Sequence, residues 1–119
     1  MLHFVFEAER VYLHREPVDF RLAINGLSLR VEQQFSLDPF CGALFVFCNR
    51  QRNKIKILYW ERNGYCLWQK RLEQEKFRWP RHLAAATVAL SAQELCWLLD
   101  GFDIWRNPPH KSLNYASLS

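Results

Sequence analysis

The sequence predicts a single α+β domain in which an antiparallel sheet, with a hairpin at its centre, is packed by two helices. The length of 119 residues leaves room for one domain, and no repeat or linker interrupts it. Apolar patterns follow the chain in the order strand, helix, several strands, helix. A hairpin signal, Asn63-Gly64, separates two apolar runs near the middle. We therefore place the domain at residues 1–106 and a weakly packed tail at residues 107–119.

The first third of the chain is predicted to hold one strand and one helix. Residues 10–15, RVYLHR, are typical of a short strand, which Pro17 ends. Over residues 19–35 the apolar residues recur every three or four positions, which is helical spacing. Asp19 is the predicted N-cap of this helix, and Gly26 is a mild cost inside it.

The middle of the chain is predicted to be a turn followed by three strands. Residues 38–43, DPFCGA, are typical of a turn, and the wholly apolar LFVF at 44–47 is typical of a strand buried on both faces. A basic loop at 48–53 leads into strands at 54–60 and 65–72. The last two form the hairpin, because Asn and Gly tolerate the positive φ of its turn.

The hairpin register is open between two even loops, which pair Tyr65 with Arg62 or with Trp60 and give the same two faces. The first face is basic at one end and aromatic at the other. It carries Lys54, Lys56, Leu58, Trp60, Tyr65, Leu67, Gln69 and Arg71. The second is the predicted core face. It carries Ile55, Ile57, Tyr59, Cys66, Trp68, Lys70 and Leu72.

The last part of the domain is predicted to contain two extended segments and a helix. KFRWP at 76–80 is a candidate fourth strand, and ATVALS at 86–91 contains a short extended piece. Ser91 and Glu94 have the spacing of a capping box, so a helix begins there. Three leucines line one face of that helix, and Gly101 ends it.

Composition narrows the function classes. No stretch reaches the roughly 18 apolar residues of a membrane span, and the N-terminus does not resemble a signal peptide. The four cysteines have no C-x-x-C spacing, which is typical of reduced thiols in a cytoplasmic protein. Hydrolase motifs and a phosphate-binding glycine loop are absent, and the Cys and His spacing does not fit zinc. We expect no catalytic residues, no metal and no cofactor.

Positive charge is concentrated in one segment. Residues 49–81 hold ten Lys or Arg and three Glu, a net charge of +7, while the rest of the chain carries −3. Such concentration attracts polyanions, and Arg50, Arg52, Lys54 and Lys56 are the candidate phosphate contacts. Trp60 and Tyr65 either stack on unpaired bases or pack under a helix, and a structural role is favoured because aromatic residues in strands usually belong to the core.

Residues 38–80 closely resemble the TnpB accessory proteins of insertion sequence 66, a class of bacterial transposon. The shared pattern runs from D-P-F-x-G-x-L-F-V-F through a basic loop, K-I-L-x-W, a glycine turn and K-R-L-E to F-x-W-P. The matching residues include Asp38, Pro39, Phe40, Gly42, Leu44, Phe45, Val46, Phe47, Lys56, Trp60, Gly64, Lys70, Arg71, Leu72, Phe77, Trp79 and Pro80. Residues 18–27 fit through Asp19, Arg21, Gly26 and Leu27, whereas Leu22, Ala23 and Asn25 depart from the pattern. The C-terminal end, residues 98–106, fits as well, so the likeness runs from about residue 10 to 106.

The resemblance implies a small accessory factor of an element that also encodes a DDE-type transposase. With the charge pattern, it favours a non-catalytic protein that binds DNA at transposon ends through a basic loop and strand edge. The candidate DNA-binding residues are Arg21, Arg50, Arg52, Lys54, Lys56 and Arg71. The alternative is a protein-interaction module that docks on the transposase or the other accessory protein, because Trp97, Trp105 and Tyr115 exceed what a small core needs.

Overall fold

The structure is a computed structural model that describes residues 3–8, 10–35 and 37–106. Its strands are β1 Val11–His14, β2 Leu44–Cys48, β3 Lys54–Glu61, β4 Gly64–Arg71 and β5 Thr87–Leu90. Its helices are α1 His3–Glu7, α2 Ile24–Arg30 and α3 Ala92–Leu99, and a π-helical turn, Val31–Phe35, follows α2. The tail predicted at residues 107–119 lies outside the described residues.

The α+β class is confirmed, but the prediction of a purely antiparallel sheet is wrong. The strand order is β4-β3-β2-β1-β5, and β1 runs parallel to β2 while the other neighbours are antiparallel. Helix α2 and the π-helical turn connect β1 to β2. They carry the chain back to the end of the sheet at which β1 starts, so β2 runs in the same direction as β1. The prediction of a hairpin at the centre of the sheet is also wrong, because the strand order puts the β3–β4 hairpin at one end and β2 in the middle. Helix α1 adds to the two predicted helices.

Both faces of the sheet are covered. Alternate side chains of β2 enter two separate hydrophobic clusters, which confirms the prediction that LFVF is buried on both sides. Phe45 and Phe47 pack with Leu27 and Val31 beneath α2. Leu44 and Val46 pack in the cluster that holds the buried leucines of α3. The sheet is thus a middle layer between α2 and the α1–α3 pair.

Helix α2 begins at Ile24, so the prediction that Asp19 is its N-cap is wrong. Asp19 closes a turn of its own: its Oδ1 accepts the Arg21 N–H at 2.9 Å, and its carbonyl accepts the Leu22 N–H at 3.0 Å. The helical spacing before Ile24 comes from this turn, which puts Phe20 against the same cluster as α2. Gly26 leaves room for the Leu22 side chain, because a Cβ at position 26 would lie 2.7 Å from Leu22 Cδ2.

The hairpin has the predicted faces and the Trp60–Tyr65 pairing of the four-residue alternative. Glu61 also pairs with Gly64, so the loop itself is Arg62-Asn63. Arg62 takes the left-handed conformation, with φ 56°, that Asn63-Gly64 was predicted to supply. The core extends to the first face as well, since Leu58 is 1% exposed beneath α2.

The C-terminal part is largely as predicted. Strand β5 and α3 are present, and the capping box is confirmed by bonds from Glu94 N–H to Ser91 Oγ at 3.0 Å and from Ser91 N–H to Glu94 Oε1 at 2.8 Å. Gly101 ends the helix with φ 93°. Exposed and buried side chains alternate over residues 76–79, but the prediction of a strand at 76–80 is wrong, because this segment does not join the ladder of the sheet.

Candidate nucleic-acid interface

The basic loop between β2 and β3 is held in shape by Asn49. This side chain is buried, and its Oδ1 accepts the N–H groups of Asn53 at 3.1 Å and Lys54 at 3.0 Å. Its Nδ2 donates to Asn53 Oδ1 at 2.7 Å. Arg52 takes the left-handed conformation, with φ 61°. The loop therefore presents its cations on an ordered backbone, which lowers the entropy cost of binding a ligand.

One side of the loop forms a groove of about 600 Å³, which we call the Arg50 groove. It is lined by Pro17, Val18, Asp19, Phe20, Arg21, Asn49, Arg50, Gln51 and Lys54. Three of the six candidate DNA-binding residues, Arg21, Arg50 and Lys54, thus meet in one concave surface. They come from a turn, a loop and the start of β3, and the turn that carries Arg21 is distant in the sequence from the other two.

An ion pair forms part of the Arg50 groove. Arg21 Nε and Nη2 donate to Asp19 Oδ2 at 2.9 and 2.5 Å. These hydrogen bonds, with help from the nearby charge of Arg50, lower the pKa of Asp19 to about 2, and the pKa of Arg21 is raised. Asp19 is therefore ionised at neutral pH and offsets one of the three positive charges. Arg50 and Lys54 remain as the groove's excess charge.

Lys56, which was predicted as a phosphate contact, is buried. Its side chain is on the first hairpin face, as predicted, but α2 and the preceding turn cover it, and the residue is 7% exposed. Nζ donates to the carbonyls of Phe20 at 3.0 Å and Leu22 at 2.8 Å, and lies 4.7 Å from the centre of the Phe20 ring. Burial, then the charge of Lys54, lowers the pKa of Lys56. The amine holds the turn that lines the Arg50 groove.

Arg71 lies on the edge strand β4, opposite Lys54. Its guanidinium is exposed and donates twice to Glu73 Oε1, at 3.1 and 2.9 Å. An exposed pair of this kind is worth under about 1 kcal/mol, so it does not prevent Arg71 from exchanging Glu73 for a phosphate. Arg71 thus extends the basic surface beside Lys54.

Arg52 lines a different groove, of about 570 Å³, which we call the Arg78 groove. Its lining residues are Arg52, Glu75, Lys76, Phe77, Arg78, Trp79, Arg81, His82, Asp103, Trp105 and Arg106. Most of these cations were absent from the sequence-derived site. The available signal was the alternation in KFRWP, where Phe77 and Trp79 are buried while Lys76 and Arg78 are exposed.

The aromatic end of the hairpin forms a surface cluster with Phe40. The Phe40 ring lies 4.6 Å from Trp60 and 5.7 Å from Tyr65, and those two rings are 5.0 Å apart. Trp60 and Tyr65 are half-buried, whereas Phe40 is 52% exposed. Trp97 and Trp105 pack against the core cluster, and Tyr115 lies outside the described residues.

Metal ligands, membrane-spanning helices and reactive cysteines are the other functional features to consider in the part of the chain that the structure describes. No group of three or more His, Cys, Asp or Glu side chains there could hold a metal ion. Among the same residues, no helix has the length and hydropathy needed to cross a membrane. Burial raises the pKa of Cys48 to about 12, so this thiol stays protonated and unreactive.

A model of the family described as IS66 Orf2 like protein matches residues 9–109. The chain belongs to this family. It is 37% identical over 99 residues to uncharacterized protein y4hO of Sinorhizobium fredii (strain NBRC 101917 / NGR234), covering 83% of this chain and 84% of the relative. It is 34% identical over 94 residues to uncharacterized protein y4jC of the same organism, covering 79% and 80%. No solved structure matches the chain. Membership of the IS66 Orf2-like family confirms the resemblance and makes this an accessory protein of a transposable element.

Proposed function

We propose that this IS66 Orf2-like protein is a non-catalytic factor that binds DNA at transposon ends through the Arg50 groove and the adjoining strand edge. The observation that carries the proposal is the convergence of Arg21, Arg50 and Lys54 around one ordered loop. Each cation that neutralises a phosphate releases condensed counterions, so such a surface binds a duplex with strong salt dependence.

The first prediction concerns Arg50. In fluorescence anisotropy with a duplex that carries the element's terminal repeat, Arg50→Ala should lower the slope of log K against log salt by about 0.9, the value for one lost phosphate contact. Affinity should fall by a similar factor for unrelated duplexes, because a phosphate contact carries no sequence information.

The matched control is Arg62→Gly. It also removes one positive charge, at the turn end of the hairpin, and glycine accepts the positive φ of that position. Lys54 pairs with Arg71 at the opposite end of the hairpin from Arg62. Equal losses of DNA affinity in Arg50→Ala and Arg62→Gly would show that the effect depends only on the net charge of the protein. Absence of DNA binding by the unaltered protein at low salt would refute the proposal.

A second candidate function is docking on the transposase or the other accessory protein, and the cluster of Phe40, Trp60 and Tyr65 favours it. Aromatic side chains at a surface are frequent anchors of protein interfaces, because they bury a large area at low entropy cost. This cluster is at the turn end of the hairpin, away from Lys54, so docking there leaves the basic grooves open.

The test is a pull-down of each of the element's other proteins with purified variants. If the cluster is the docking site, Phe40→Ser should reduce capture at least tenfold, the loss of a hot-spot residue worth about 1.4 kcal/mol or more. Phe102→Ser is the control, since Phe102 is also exposed, at 60%, and does not belong to the cluster. Capture that survives Phe40→Ser but is lost when Arg50 is replaced would assign the contact to the basic surface.

A further inference from the structure

The Arg78 groove contains more positive charge than the Arg50 groove. Five cations line it, Arg52, Lys76, Arg78, Arg81 and Arg106, against the two carboxylates of Glu75 and Asp103. Asp103 accepts the backbone N–H groups of Trp105 at 3.2 Å and Arg106 at 3.1 Å. Among the described residues, none of the ion pairs involves these five cations, so within that part of the chain they have no carboxylate partner.

Three hydrogen bonds fix the segment that carries these charges. The Phe77 N–H donates to the carbonyl of Arg52 at 2.7 Å, and Trp79 Nε1 donates to the carbonyl of Arg15 at 2.7 Å. Trp105 Nε1 donates to the carbonyl of Arg78. With the Phe77 and Trp79 side chains buried, residues 76–80 are tied to the loop, to the end of β1 and to the C-terminal turn. Because Lys76 and Arg78 are exposed while Phe77 and Trp79 are buried, the two cations lie on one side of the segment.

We propose that the Arg78 groove is a second DNA-binding site, which contacts a phosphate backbone in addition to the Arg50 groove. The inference rests on the proposed function, since it assigns the same class of ligand to both sites. Guanidinium groups bind phosphate oxygens in pairs of parallel hydrogen bonds, and an ordered row of them suits a repeating phosphate chain. The loop supplies one arginine to each groove, Arg50 to the first and Arg52 to the second, so it separates two basic surfaces.

The experiment compares two variants that each lose two positive charges, Lys76→Ala/Arg78→Ala and Arg50→Ala/Lys54→Ala. Anisotropy with the terminal-repeat duplex should show that the first lowers the salt slope by about 1.8 and weakens binding roughly tenfold or more at 0.1 M salt. Both replaced side chains are exposed, so thermal unfolding should match that of the unaltered protein. Arg62→Gly serves as the control for the loss of one positive charge outside both grooves.

A capture assay then distinguishes one DNA segment from two. An immobilised terminal-repeat duplex is loaded with protein and offered a second, labelled duplex. Retention of the label, lost in either double variant, means that the two grooves hold separate duplexes. Absence of retention, with loss of affinity for a single duplex in both variants, means that one duplex spans the grooves. Both results support the proposal.

The outcomes separate this inference from the proposed function. Unchanged affinity and salt slope in Lys76→Ala/Arg78→Ala, with weakened binding in Arg50→Ala/Lys54→Ala, would overturn the second site and leave the first. The reverse pattern would keep the Arg78 groove as the DNA site and refute the role of the Arg50 groove. Unchanged DNA binding by Lys76→Ala/Arg78→Ala, together with lost capture of one of the element's other proteins, would also overturn the inference, because the groove would then bind protein.

Discussion

Replacing Trp79 with alanine is expected to lower the free energy of unfolding by about 3–5 kcal/mol, the usual cost of truncating a large aromatic residue in a core. Trp79 is 6% exposed and packs in the cluster beneath α1 and α3. Its indole N–H also satisfies the carbonyl of Arg15, which the substitution would leave without its partner. Because small domains are stable by only about 5–15 kcal/mol, urea denaturation should show a much lower midpoint at unchanged slope.

The control is Trp79→Phe, which keeps an aromatic ring but loses the N–H donor. It should cost less, about 1–3 kcal/mol, because one buried acceptor loses its hydrogen bond and a smaller volume is lost. Equal stability of Trp79→Ala and the unaltered protein would show that the segment 76–80 is not anchored as the structure has it. Trp79→Ala should also weaken DNA binding, since Arg78 lies next to this anchor in the groove.

Features set by neighbouring residues could be predicted from the sequence. The capping box of Ser91 and Glu94 depends on a spacing of three, and the strand at 44–47 depends on four consecutive apolar side chains. The faces of the hairpin follow from strict alternation, so they were right for either even loop. The exact turn was not predicted, because Arg62 takes the left-handed conformation that Asn63-Gly64 was expected to supply.

Features set by distant residues could not be predicted in this way. The parallel pairing of Val11 with Leu44 depends on how the intervening chain packs across the sheet, and no local pattern records that. Asp is a residue type favoured at N-caps, but the Asp19 carboxylate accepts hydrogen bonds from Arg21 instead. Short α1 lacks the length that periodicity requires for detection.

The candidate site shows the same division. The charge count located the basic segment, and the loop cations Arg50 and Arg52 are at the surface. Their division between two grooves could not be read from the sequence, because it depends on the bond between Arg52 and Phe77, 25 positions apart in the numbering. The exposed Lys76 and Arg78 were consequently assigned to a strand and left out of the DNA-binding set.

Several residues that carry the family resemblance stabilise the fold. Phe77 and Trp79 are buried, and Phe45 and Phe47 alternate with Leu44 and Val46 across the central strand. The Asp38 side chain accepts the Phe40 N–H at 2.9 Å and so closes the turn before β2. Since these roles are structural, the resemblance identifies the family more directly than it identifies a binding site.

Replacing Lys56 with methionine is expected to lower the free energy of unfolding by about 2–3 kcal/mol, because the carbonyls of Phe20 and Leu22 lose a charged donor. Relief of the desolvation of a buried amine offsets part of the loss. The fully exposed alternative, in which Lys56 contacts phosphate, predicts the opposite pattern of little change in stability and a direct loss of DNA affinity. Urea denaturation of purified variants decides between them.

The matched control is Lys54→Met, two positions away on the same face of β3. Lys54 is half-exposed in the Arg50 groove, so its loss should change stability by less than about 0.5 kcal/mol. The same variant should lower the salt slope of DNA binding by about 0.9, whereas the part of Lys56→Met that remains folded should keep the slope of the unaltered protein. A reversed pair of results would place the Lys56 amine in solvent and remove the physical reason for the order of the turn at residues 19–22. Lys54 and Lys56 lie on the same face of β3, but only Lys56 is buried. The two substitutions therefore test whether a position on this face is enough for a lysine of β3 to reach DNA, or whether the side chain must also be exposed.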